Sequence, residues 1–172
     1  MPKVYYVKAA RKDNPAVKKG QPYYHWAFYR GSTHYSATYP RQSQLTQNEH
    51  LSAAHLAAET LQDNTPINVT CASREELEAF VDEVKGFLEE ADESVQECSQ
   101  GFTEKADNIR EHFSESEIAD TAEEQAGEMD TWSSEIQDAI TTIESIDLDT
   151  EDYDSAVSEI IDAYSGVSSC PI

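Results

Sequence analysis

Eleven residues near the start of the chain combine positive charge with flat π faces, the two features that hold a single-stranded nucleic acid. They are Lys8, Arg11, Lys12, Lys18, Lys19, Tyr23, His25, Tyr29, Arg30, Tyr35 and Arg41. Lys and Arg neutralise phosphates, and exposed rings stack on bases of any identity. Most of these residues fall in one run, KKGQPYYHWAFYRGSTHYSATYPRQSQLT, from Lys18 to Thr46. Tyr6, Tyr24 and Trp26 are further ring candidates. Small sheets also depend on large aromatics for their own stability, so a core role for either aromatic face stays open.

A second set is acidic. Asp82, Glu83, Glu89, Glu90, Asp92, Glu93 and Glu97 lie on one stretch of helical pattern, and Glu117, Asp120, Glu123, Glu124 and Glu128 on the next. Carboxylates displayed in rows on rigid helices can imitate the phosphates of a duplex and occupy a basic groove on a DNA-binding protein. The same rows serve equally as a solvated outer face.

Residues for metal or covalent chemistry are sparse. Asp147, Asp149 and Glu151 alternate like the opening of a calcium loop, but Asp152 stands where the sharp-turn glycine belongs. These acids also suit the N-terminus of a following helix. His50 and His55 are five apart and share a helical face poorly, and no HExxH pattern is present. His25 and His34 can meet across a hairpin but have no carboxylate or thiol near them in sequence. Cys71 precedes a helix N-terminus, where a thiolate is favoured, without an identifiable base. No glycine-rich phosphate loop occurs. Neither a cofactor, a metal site nor a catalytic residue is expected.

Charge divides the chain. Up to Leu45 there are eight Lys or Arg against one acid, a net of +7; beyond it there are four against 33, a net of -29. An adaptation acting on the whole surface would make the first part acidic too, so the split argues for two surfaces with different partners. Three cysteines far apart form no disulfide framework, which fits a reducing compartment. The first residues lack the apolar run of a signal peptide, and no stretch of about 18 apolar residues exists. A cytoplasmic protein with no membrane contact is expected.

The elements that must position these residues follow from periodicity. Lys3 to Ala9, Tyr23 to Arg30 and Thr33 to Tyr39 read as strands, with Gly31-Ser32 as the tight turn of a hairpin. In the central strand Tyr24, Trp26 and Phe28 fall on one face and Tyr23, His25 and Tyr29 on the other. Thr46 and Glu49 have capping-box spacing, opening a helix that runs to about Gln62 and buries Leu51, Ala54, Ala58 and Leu61, with Leu56 widening the stripe. One such helix covers one face only.

Ser73 and Glu76 open the next helix, with a heptad of Leu77, Val81, Val84, Leu88, Ala91, Val95 and Cys98 and a break predicted at Gly101. Ser114 and Glu117 have the same spacing before a stripe of Ile118, Ala122, Met129, Trp132, Ile136, Ala139, Ile143 and Ile146. A last helix carries Tyr153, Val157, Ile160 and Tyr164, with Gly166 as its C-cap. The heptads can pair as antiparallel hairpins within the chain or across a homodimer.

The segment from Lys8 to Gln47 resembles the opening of a group of small uncharacterised bacteriophage proteins. The matching positions are Lys8, Arg11, Lys12, Asp13, Lys18, Lys19, Gly20, Tyr23, Tyr24, Trp26, Gly31, Pro40, Arg41, Ser43, Gln44, Leu45 and Thr46. His25 stands where that pattern has an aromatic. The resemblance covers about a quarter of the chain and implies a phage or prophage origin without implying an activity.

Together these features predict an α+β protein. A three-stranded antiparallel sheet with one helix occupies residues 1–66, and an acidic bundle of about three long helices occupies residues 67–172. The expected role is non-enzymatic binding of DNA or RNA through the basic aromatic head. The alternative is inhibition of a host protein, by direct interaction or DNA mimicry, through the acidic helices. In a phage setting the compartment is the host cytoplasm.

Overall fold

In the computed structural model, which describes residues 1–167 and 169–172, the aromatic runs form three short strands: β1 (Tyr5–Val7), β2 (Tyr23–Ala27) and β3 (Thr33–Ser36). They make one antiparallel sheet in the order β1-β2-β3, and the α+β class and the three-stranded sheet are as expected. Five helices follow: α1 (Gln42–Leu45), α2 (Glu49–Asp63), α3 (Arg74–Arg110), α4 (Glu117–Glu144) and α5 (Tyr153–Ser165). Two compact units divide between Ser52 and Ala53, inside α2, whereas sequence pattern places the change of organisation after Pro66.

In the first unit β2 ends at Ala27, and the turn forms two residues earlier than Gly31-Ser32. The Gly31 N–H donates to the Phe28 carbonyl at 2.9 Å, so Tyr29 and Arg30 are the central turn residues. Arg30 takes a φ of 59°, the left-handed region that the third residue of such a turn can require. Pro40 ends the sheet region and is buried with Ala10, Trp26, Ser43 and Leu45.

Thr46 does not cap α2. Its hydroxyl donates back to the Gln42 carbonyl, and Asn48 Oδ1 accepts from the His50 and Leu51 N–H groups instead. The Asn side chain reaches two of the orphan donors of the first turn, which is why it displaces a Thr two residues earlier. Leu56 is 51 % exposed, and Ala57 takes the buried place beside Ala54 and Leu61.

The second unit is a helical body. The Ser73 hydroxyl accepts from Glu76 N–H and the Glu76 carboxylate accepts from Ala72 N–H, an N-terminal cap of the expected kind. All seven heptad residues of α3 are buried. No break occurs at Gly101: Phe102 and Ala106 carry the buried stripe onward, and Gly101 is itself buried inside a helix that continues to Arg110. Continuous burial on both sides outweighs the roughly 1 kcal/mol helix penalty of a single glycine.

In α4 the stripe runs through Ala119, Ala122, Ala126, Met129, Trp132, Ile136, Ala139 and Ile143. Ile118 is 63 % exposed, one step off that face, and Ser116 rather than Ser114 precedes the helix, without a side-chain cap bond. Cross-links join Lys85 to Glu144, Asp92 to Ser133, Ser99 to Asp130 and Arg110 to Glu123. These pairs run in opposite order along the two helices, so α3 and α4 form an antiparallel hairpin. The α5 helix packs on both, and the Tyr164 hydroxyl donates to the Leu61 carbonyl of α2 at 2.7 Å. Among the described residues no helix is long and apolar enough to cross a membrane.

Candidate nucleic-acid interface

Strand register decides which rings share a face. Tyr5 pairs with His25 and His25 with Tyr35, so these three lie in a row across the sheet, and Tyr23 sits two residues along β2 on the same side. Tyr5 and His25 stack at 5.2 Å with planes 15° apart. Tyr23 lies 5.9 Å from both His25 and Tyr35, and His25 lies 6.4 Å from Tyr35. Lys3 Nζ stands 5.2 Å over the Tyr5 ring, which adds a cation to this cluster. None of Tyr5, Val7, Tyr23, His25, Ala27, Thr33 and Tyr35 is buried; Tyr5 is 48 % and Tyr35 38 % exposed.

The opposite face holds the buried ring. Trp26 is 3 % exposed and stacks on His34 at 5.4 Å, with Phe28 edge-on to the same imidazole. Tyr24 contacts Tyr6 and Tyr39. His25 and His34 therefore occupy opposite faces and do not meet, because β3 is paired one residue away from the alignment that would place them opposite each other.

The connection from β1 to β2 presents the cations. Ala10 N–H donates to the Gln21 carbonyl at 2.8 Å and Gly20 N–H to the Ala10 carbonyl at 2.9 Å, closing the loop at its base. Gly20 takes a φ of 91°, a conformation few side chains tolerate. Asn14 Oδ1 accepts from Ala16 and Val17 N–H, and Asp13 Oδ1 accepts from Lys19 N–H. The sole acid before α1 is thus spent on the loop's own backbone. Lys8, Arg11, Lys12, Lys18 and Lys19 are all exposed, and among the described residues none of them forms an ion pair.

Sequence-selected residues are therefore placed as follows. Tyr23, His25 and Tyr35 come together on the open face, and five of the cations share one ordered loop. Tyr29 leaves that face: it is 82 % exposed at the hairpin turn, with the Arg30 guanidinium 5.2 Å over its ring. Arg41 precedes α1, where its backbone N–H donates to Gln44 Oε1. Lys3 and Tyr5 belong to the open face and are missing from the sequence-based set. Alternation in KVYYV was a signal for them, but only the register shows which of the two adjacent tyrosines joins His25.

The acidic rows need two corrections. Asp92 is buried in the α3–α4 interface, where it accepts from Ser133 Oγ at 2.5 Å, Gln96 Nε2 at 2.8 Å and Gln137 Nε2 at 3.1 Å. It is a packing residue and offers no surface charge. Asp120 and Glu123 are held by Arg110. The carboxylates of Asp82, Glu83, Glu89, Glu90, Glu93, Glu97, Glu117, Glu124 and Glu128 are exposed.

The weaker chemical candidates are used locally. Asp149 pairs with Arg74, Asp147 accepts from Asp149 N–H, and Asp152 caps α5 by accepting from Ser155 N–H. Among the described residues no group of three or more His, Cys, Asp or Glu is placed to hold a metal ion. Cys71 is buried, and burial followed by the nearby Glu76 charge pushes its thiol up, away from the thiolate a nucleophile requires. Compared with protein-family models, with curated proteins and with solved structures, the chain matches none.

Proposed function

We propose that this chain is a phage-type, non-enzymatic accessory protein of the cytoplasm that holds single-stranded DNA or RNA on the open face of its sheet. One observation carries the reading: Tyr5, Tyr23 and Tyr35 gather around His25 on a face without a buried residue, in a unit whose adjoining loop bears five cations that form no ion pair among the described residues. Stacking on a row of rings requires bases splayed from a helix, so a single strand fits and a duplex does not. Anisotropy of a labelled single-stranded 12-mer tests it. Tyr5→Ala and Tyr35→Ala should each weaken binding by roughly 1–3 kcal/mol, about 5- to 150-fold, at every salt concentration. Lys18→Gln with Lys19→Gln should instead reduce the slope of log K against log salt by about 1.4. Absence of binding at low salt, or equal effects of ring and lysine changes on the slope, rejects the assignment.

A second reading has its own support. The four cations of the second unit are all engaged: Arg74, Lys85 and Arg110 in ion pairs and Lys105 over the Phe102 ring. The exposed carboxylates of α3 and α4 therefore present an almost uniform negative surface, suited to a basic groove on a host protein. Recovery of a discrete partner from nuclease-treated lysate, lost on replacing Glu89, Glu93 and Glu97 by Gln, favours this role over the first.

A further inference from the structure

We infer that a groove in the helical body binds a small, uncharged, largely apolar molecule. It is formed by the end of α2, the middle of α4, the end of α5 and, beyond α5, Val167, Ser169 and Cys170. It encloses about 540 Å³, within the size range of small-molecule sites. Ala58, Leu61, Gln62, Trp132, Tyr164 and Cys170 are among its lining residues, and among the described residues of the lining none is Asp, Glu, Lys, Arg or His.

That neutrality defines the ligand. From Ala53 onward the unit carries 32 acids against four bases, a net of -28, so an anion entering the groove meets a repulsive field. A cation is drawn to the body, but among the described residues of this groove it finds no carboxylate to pair with. An uncharged molecule meets neither obstacle.

The walls are also fixed in advance. The Tyr164 hydroxyl is committed to the Leu61 carbonyl, which orients its ring and leaves the apolar part of the side chain to the groove. Trp132 is 2 % exposed and Leu61 9 %, so the floor is held by the core behind it. Gln62 is exposed, and among the described residues its amide makes no hydrogen bond. It offers one donor and acceptor pair at the rim, the usual pattern of an apolar pocket with a polar group that orients its ligand.

The probe is N-phenyl-1-naphthylamine, a neutral dye that brightens on leaving water, titrated into the full chain. Saturable binding of one dye per chain is expected, with the anionic 1-anilinonaphthalene-8-sulfonate at least tenfold weaker. Ala58→Leu fills the groove from α2 and Cys170→Phe fills it from the segment beyond α5. Each should weaken the dye at least tenfold while leaving the far-UV circular dichroism unchanged. Ala79→Leu, beside a separate groove at the start of α3, should leave binding intact. Absence of saturable binding, equal affinity for the anionic dye, or equal effects of Ala58→Leu and Ala79→Leu overturns the assignment. Two independent filling variants keep the result decisive if one fails to fold.

Discussion

Two buried acidic groups, Cys98 and Tyr164, give the body a defined response to alkali. Burial pushes the Cys98 thiol up to about 12 and the Tyr164 phenol up to about 12, from ordinary values of 9 and 10. Both ionise in the unfolded chain at lower pH than in the folded one. The native state therefore binds more protons above pH 9, and stability falls as pH rises from about 9 towards 12. Urea midpoints should drop through this window in the parent, and less steeply in Cys98→Ala and Tyr164→Phe measured against their own neutral values. At this scale the sequence was legible in residue type and face, but not in partner. Alternation put Tyr23 and His25 together correctly, yet Tyr29 was lost from that face because β2 stops at Ala27. Lys3 and Tyr5 were missed because a long connection, from Lys8 to Pro22, leaves the β1–β2 register unspecified by sequence. Asp92 misled for a different reason: in a helix full of acids, nothing local separates the buried one that accepts three hydrogen bonds from its solvated neighbours.

Helices were more legible than their ends. A strict heptad of apolar residues has few ways to be satisfied, and every heptad residue assigned to α3 is buried. Caps are short-range choices among many Ser, Thr, Asn and Asp residues. Of three capping spacings in the sequence, only Ser73 with Glu76 forms a cap, while Asn48 and Ser116 displace Thr46 and Ser114. Glycine shows the same dependence on context. Gly101 is buried in the α3–α4 hairpin, whereas Gly86 and Gly127 are exposed inside α3 and α4, with nothing within 4 Å of where a Cβ would stand. At those two open positions alanine removes unfolded-state entropy without a clash. Gly86→Ala and Gly127→Ala should each stabilise the body by about 0.5–1 kcal/mol. Chemical unfolding followed at 222 nm checks this; a loss of stability at either position would show that the helix there is distorted in solution.

Across the whole chain, one segregation of charge imposes two opposite salt responses. The first unit has eight bases against two acids, a net of +6, and the second a net of -28. Repulsion among the carboxylates of α3, α4 and α5 opposes folding of the second unit, and the heptad cores of Leu, Val and Ile must outweigh it. Raising salt from 10 to 150 mM shortens the Debye length from about 30 Å to about 8 Å, which removes most repulsion between neighbouring turns and helices. The helical melting temperature should therefore rise by several degrees over this range. Oligonucleotide affinity at the sheet should fall over the same range, because phosphate contacts lose their counterion-release advantage. Replacing Glu89, Glu93 and Glu97 by Gln separates the causes. The triple variant should melt higher than the parent at 10 mM salt, and the difference should largely vanish at 150 mM. A gain that persists unchanged at 150 mM would instead indicate better helix packing or propensity. A melting temperature insensitive to salt in the parent would mean that the carboxylates, despite their number, lie too far apart or too well solvated to strain the fold.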